Sequence, residues 1–286
     1  VPMTGAQREA RAWRASGRIL LGPEPKRPSL GLSESGMTTV SAAEVSALTR
    51  SSLGVRVQDG GMTEVRIDYD GEGLDESQVP PAPYDLVRQW VGDARRRQDA
   101  SGDVPEPEAI NIATANAQGA PHVRTVLMRY LETDGPGFYT NLESAKASDL
   151  AANPQVAGAL TWPMMFRAIR FTGTARELPR DVVRTYFDSR PWGSRVGAWV
   201  SKQSRPLDSR AELEAANAEM AARYPDTGSP DDVPLPDFWG GYRIDCDEIE
   251  FWAGRHSRLH DRLVFVRTAE GNLDDPSAWR LERRWP

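Results

Sequence analysis

Three lysines, Lys26, Lys146 and Lys202, stand among 35 basic residues. A compact ammonium at Lys146, where a helix is expected to begin, therefore marks a place where arginine was not used. Upstream, the strand-like run His122-Val-Arg-Thr-Val-Leu-Met-Arg129 carries Arg124 and Arg129. Guanidinium forks and a helix N-terminus both suit a phosphate dianion. In Tyr186-Phe-Asp-Ser-Arg-Pro-Trp-Gly-Ser194 a phenol, a guanidinium and a hydroxyl recur at spacings of four. Pro191 should end the helix, so Tyr186 and Arg190 share its face while Ser194 comes from the turn that follows. This is a second donor set for phosphate.

The densest patch is Arg258-Leu-His-Asp-Arg262. On a strand, Arg258, His260 and Arg262 point to one face and Asp261 to the other. Two cations and an imidazole on one face call for an anion among them. The segments 197–204, 238–242 and 249–252 add Trp199, Trp239 and Trp252 beside glycines and polar donors, suitable walls for a planar ligand. Competing accounts stay open: solvated surface charge for any single arginine, and packing for Tyr186, Trp199 and Trp239.

Other chemistries lose support. The chain has no G-x-x-x-x-G-K-S/T, no G-x-G-x-x-G after a strand, no H-E-x-x-H and no G-x-S-x-G. One cysteine, Cys246, and three histidines cannot build a Cys/His zinc cage, so no metal is expected, and a reducing, cytoplasmic setting is the default. A net charge of −6 argues against nucleic acid, and the longest apolar runs fall far short of the roughly 20 residues a bilayer demands.

These residues need elements to position them. Residues 1–61 lack hydrophobic periodicity and read as a dispensable, disordered N-terminal tail; 62–286 form the folded domain. Leu86, Val87, Trp90, Val91 and Ala94 trace one face of a short helix behind Pro83. Strands are expected over 109–115, 122–131, 137–140, 156–162, 167–178, 242–252, 259–268 and 279–284. Helices are expected over 144–152, 181–187 and 209–224, the last opened by a Ser209/Glu212 capping box. The fold class is mainly β: an antiparallel barrel with flanking helices.

The ordered motifs R-T-V-L-M-R, F-Y-T-N-L-E-S-A-K, Y-F-D-S-R-P-W-G-S, G-A-W-V-S-K-Q-S, W-G-G-Y, E-F-W-A-G and R-L-H-D-R, spread from about Arg66 to Pro286, resemble the pyridoxine/pyridoxamine 5′-phosphate oxidase family. The resemblance implies an FMN-binding split β-barrel, a homodimer with FMN at the subunit interface. Arg124, the backbone of Thr125 and Val126, Tyr139, Thr140 and Lys146 would hold FMN from one subunit; Gln203, Ser204, Trp252 and Arg262 would reach it from the other. Arg129, Tyr186, Arg190 and Ser194 would take the substrate phosphate, Arg258 and His260 would act at the pyridine ring, and Arg66 and Tyr69 would form a lid. The implied reaction moves a hydride from C4′ of pyridoxamine or pyridoxine 5′-phosphate to flavin N5, with O2 reduced to H2O2. Arg129 stands where the family usually has lysine, Ala145 where it has arginine, and Ala168 where it has glutamine. Weaker FMN binding is expected unless Arg167, Arg170 or Trp192 compensates. Two alternatives are an oxidase of another planar metabolite, of the phenazine-biosynthesis type, and a flavin-binding protein without turnover.

Overall fold

The computed structural model describes Tyr69 and residues 71–286. The expected tail, the domain start at 62 and Arg66 lie outside the described residues. Helix α1 (Pro83–Ser101) opens with Pro83 in its first turn, where a missing N–H costs nothing. It buries Leu86, Val87, Trp90, Val91 and Ala94, the stripe that the periodicity predicts, and stops at Gly102, whose left-handed backbone (φ 68°) closes the last turn on Gln98.

Eight antiparallel strands follow: β1 (Ala109–Ala115), β2 (Pro121–Glu132), β3 (Gly135–Asn141), β4 (Gln155–Trp162), β5 (Arg167–Glu177), β6 (Trp239–Ala253), β7 (Asp261–Arg267) and β8 (Trp279–Arg283). Their order is β3-β2-β1-β4-β5-β6-β7-β8, and β3 also pairs with β6. That last pairing, with Phe138 opposite Tyr242, closes six strands into a barrel and leaves β7 and β8 as an extension of its wall. Alternation does the sorting: Ile110, Ile112 and Thr114 of β1 are buried while their neighbours are half-buried. Phe138, Phe171, Ile169, Ile249 and Phe251 fill the interior. At the β5–β6 bulge a Cβ on Gly173 would collide with the Asp245 carbonyl oxygen, so the close approach requires glycine.

Four helices decorate the barrel: α2 (Ala145–Ala152), α3 (Arg180–Ser189), α4 (Trp192–Val200) and α5 (Arg210–Arg223). Ser209 caps α5 by accepting the Glu212 amide, as expected, but the Glu212 carboxylate accepts from Asp208. A second apolar cluster joins α3 and α4 to the barrel through Val183, Phe187, Val196 and Trp239. Among the described residues no helix is long and apolar enough to cross a membrane, and no group of ligands suits a metal ion.

Two expectations need correction. Helix α4 occupies a stretch read as turn and ligand wall; Pro191 ends α3 but serves as N-cap of the next helix, so one proline both stops and starts. The strand expected to carry Arg258, His260 and Arg262 on one face begins only at Asp261. Residues His256–Arg258 form a tight turn with Ser257 and Arg258 left-handed (φ 58° and 62°), which destroys the two-residue alternation there.

Candidate active site

A cavity of about 460 Å³ opens where β2, β3 and the start of β6 meet α3 and α4. Strand β2 contributes Val126 and Arg129, β3 contributes Tyr139 and Thr140, α3 and its C-cap give Tyr186 and Arg190, and α4 gives Ser194. The segment after α4 adds Gln203, and Trp239 at the head of β6 forms a wall. The second expected phosphate set, Tyr186, Arg190 and Ser194, thus lines one cavity with Arg129 of the first, whereas Arg124 and Lys146 do not line it.

Lys146, in the first turn of α2, is 7% exposed. Its ammonium donates to Thr140 Oγ1 (3.0 Å) and Ser144 Oγ (3.2 Å) and meets Gln203 Oε1. All three acceptors are neutral. Burial, aided by the nearby Arg124 cation, lowers the Lys146 pKa to about 8. Gln203, which the resemblance assigns to the opposite subunit's half of the site, reaches Lys146 within its own chain. Ser204 is exposed and left-handed (φ 72°) beside it.

Behind this ammonium lies a second layer. Arg124 donates to Thr114 Oγ1 (2.7 Å), and Thr114 donates to the buried Asp149 carboxylate (2.6 Å), which also contacts His122 Nδ1 (2.9 Å) and Arg124 (3.6 Å). Burial opposes ionisation of Asp149, but the hydrogen bonds from Thr114 and His122 keep its pKa below the ordinary value. Lys146 and Asp149 lie three residues apart on one face of α2, a helical spacing legible in the sequence, yet nothing there named Asp149's partners. Thr125 turns its hydroxyl to Asn111 (2.7 Å) and borders a separate depression.

Arg190 is the other unbalanced cation. Its guanidinium sits 4.9 Å over the Trp239 ring, burial lowers its pKa, and its Nη1 is buried without a hydrogen-bond partner. An orphaned buried donor is uncommon and marks a place for an acceptor. Tyr139 and Tyr186 lie nearly parallel to Trp239, so Trp239 lines the cavity as well as packing in the second apolar cluster. Arg129, at the cavity edge, is 3.8 Å from both Glu106 and Glu108.

The remaining expected residues form a second group that contributes nothing to the lining of this cavity. His260 packs against Trp252 (centroids 4.8 Å apart) and Tyr69 (5.3 Å), and Tyr69 also meets Trp252 and Phe166. The Arg255 amide donates to His260 Nδ1 (3.0 Å), so the neutral imidazole carries its proton on Nε2 and presents a donor. Arg262 grips the buried Glu250 carboxylate with two nitrogens (2.6 and 3.1 Å) and donates to the Trp285 carbonyl. Arg258 lies in the tight turn before β7 and is exposed.

Of the three side chains considered as compensation, only Arg170 connects to this group, through Glu250. Arg167 is held by Asp93 and Glu72 over Trp90, and Trp192 donates to the Tyr224 carbonyl. Ala168 faces Trp252 in the strand register, and Ala145 begins α2 directly before Lys146.

Residues 99–224 match the family described as pyridoxamine 5′-phosphate oxidase, and residues 239–286 match the pyridoxine 5′-phosphate oxidase C-terminal dimerisation region. A pyridoxine/pyridoxamine 5′-phosphate oxidase of Kineococcus radiotolerans is 48% identical over 223 residues, spanning 77% of this chain and 97% of that protein. Its counterpart in Streptomyces avermitilis is 45% identical over 222 residues, with 78% and 95% covered. Among solved structures, PhzG from Burkholderia lata, in complex with tetrahydrophenazine-1-carboxylic acid, gives a TM-score of 0.65 at 26% identity, covering 76% of this chain and 99% of that one. A pyridoxamine 5′-phosphate oxidase-related, FMN binding protein from Nostoc punctiforme shares the fold, with a TM-score of 0.53 at 16% identity over 69% of this chain and 97% of that one.

Proposed function

This chain belongs to the pyridoxine/pyridoxamine 5′-phosphate oxidase family, and on that premise we propose that it oxidises pyridoxamine or pyridoxine 5′-phosphate to pyridoxal 5′-phosphate with FMN and O2. The observation that carries the reading is a pair of cations with no acidic partner among the described residues: Arg190, which lines the cavity with its Nη1 buried, and Lys146, buried behind the lining residues Thr140 and Gln203. Two phosphates need two such places. A flavin phosphate fits Lys146 with Arg124 behind it; a substrate phosphate fits Arg190, Tyr186, Ser194 and Arg129.

Bound FMN would accept a hydride from C4′ and pass the electron pair to O2, giving H2O2. The chain's own residues would bind and orient. Arg190 and its neighbours anchor the phosphate end of the substrate, and this fixed end sets the distance of C4′ from the flavin. His260 offers its Nε2 proton to a ring substituent, and Arg258 adds a cation beside it. Tyr69 packs edge-on against His260 and Trp252 and would limit the movement of the His260 ring.

The separation of the two groups favours a homodimer in which Trp252, Arg258, His260 and Arg262 of one subunit complete the cavity of the other. The match of residues 239–286 to a dimerisation region supports this, as does the exposed outer face of β2, where Val123 is 72% exposed. Likeness to PhzG supports a second reading, oxidation of an unphosphorylated planar metabolite. Steady-state peroxide release discriminates. The first reading expects turnover of the two 5′-phosphates and loss of it when the phosphate is removed; the second expects indifference to the phosphate.

A further inference from the structure

We infer that Asp261 is the positioning residue of the turn that carries Arg258 and His260, holding that turn and the Tyr69 segment in one arrangement. The inference rests on the reading above for its effect on turnover, though not for its geometry.

Asp261 opens β7 and is 7% exposed. Its Oδ2 accepts from the Leu74 amide (2.9 Å) and from Arg255 Nε (3.0 Å), and its Oδ1 accepts from Arg283 Nη1 (2.5 Å). Arg283 in turn binds both oxygens of Glu76 (2.6 and 2.7 Å) and the Leu74 carbonyl (2.9 Å). One carboxylate therefore ties together the segment after Tyr69, the head of the turn and the last strand. The segment can come so close because Gly73 (φ +78°) has no side chain; a Cβ there would lie 2.6 Å from the Arg255 guanidinium and 2.9 Å from Asp261 Oδ2.

The turn needs such a hold. Ser257 and Arg258 are successive non-glycine residues in the left-handed region, which L side chains avoid, so the turn's own preferences do not select this shape. Arg255 is the link: its guanidinium binds Asp261, and its amide donates to His260 Nδ1, leaving the proton on Nε2. Releasing Arg255 releases the group that fixes the tautomer and direction of His260. An asparagine at 261 cannot replace the carboxylate, because its NH2 end would face N–H donors that now meet an oxygen.

The chain has three histidines, His122, His256 and His260, so imidazole 15N spectra of histidine-labelled, FMN-loaded protein resolve each ring. In the wild type His260 should show an unprotonated Nδ1 and a protonated Nε2. Asp261→Asn should turn this into a tautomer mixture and lower kcat about tenfold, the worth of one charge-assisted hydrogen bond. His122, in the Asp149 cluster, should keep its signals and so report an intact barrel. Should Asp261→Asn not fold, Arg255→Ala leaves the carboxylate with Leu74 and Arg283 and should give the same pair of changes. A single unchanged His260 tautomer in the variant, or a variant kcat equal to that of a wild type that turns over, overturns the inference while the proposed reaction stands. A tautomer mixture in the variant of a protein that oxidises neither 5′-phosphate keeps the positioning role and removes the reaction.

Discussion

The Tyr139 and Tyr186 rings stack with centroids 3.9 Å apart and planes 10° from parallel, so a barrel strand and a flanking helix share one aromatic wall. In the proposed reading this wall joins the flavin half of the cavity to the substrate half. Burial, with the nearby Tyr186 adding to it, pushes the Tyr139 phenol up to about 12, so it stays neutral through the working pH range. Tyr186→Phe keeps the stack and removes a donor; KM for the 5′-phosphate should rise about tenfold with FMN affinity unchanged. Tyr186→Ala should also weaken FMN. Flavin fluorescence titration beside steady-state kinetics separates the two outcomes.

Lys146→Met should weaken FMN by about 1.5 to 3 kcal/mol while leaving riboflavin, which lacks the phosphate, nearly unaffected. The wild type should also bind FMN less tightly as pH rises past about 8, where the buried ammonium of the flavin-free protein loses its proton. Linkage gives the opposite sign for flavin-free stability. The folded pKa lies below lysine's ordinary value of 10.5, so the unfolded chain binds more protons between the two values, and this group's contribution rises with pH across that window. Urea midpoints at pH 7.5 and 10 should show the increase in wild type and lose it in Lys146→Met.

Arg190→Met removes a half-buried guanidinium whose Nη1 is buried without an acceptor. The substrate-free protein should become more stable, by about 1 kcal/mol, while KM for the 5′-phosphate rises about tenfold or more. Paired thermal melts and kinetics test it; a loss of stability with KM unchanged would make Arg190 a packing residue.

Glu250→Gln leaves Arg262 and Arg170 facing a neutral amide and should cost about 2 kcal/mol in urea unfolding. Arg170→Ala should cost less than about 1 kcal/mol, since its side chain is half-exposed.

The sequence is most informative where a local period carries the signal. Tyr186, Arg190 and Ser194 could be grouped because helical spacing and Pro191 act within nine residues, and the structure brings all three to one cavity. The antiparallel sheet is legible from alternation in β5, where Ile169, Phe171, Gly173 and Ala175 interleave with arginine and threonine. Period reasoning failed at Arg258 and His260 because it ran through a turn made by Ser257 and Arg258, neither of which announces a left-handed backbone as glycine would. Helix α4 was hidden by Gly193 and Gly197, weak helix formers that packing overrides. Partnerships such as Arg124 with Asp149, or Tyr69 with His260, join distant parts of the chain and have no local signature.

The most direct test of the central claim is anaerobic mixing of the purified, FMN-loaded protein with pyridoxine 5′-phosphate or pyridoxamine 5′-phosphate while the visible flavin absorption is followed. The account predicts bleaching with one or both, recovery of colour on admitting air, and peroxide equivalent to the flavin reoxidised. Absorption that stays unchanged with both 5′-phosphates would contradict it.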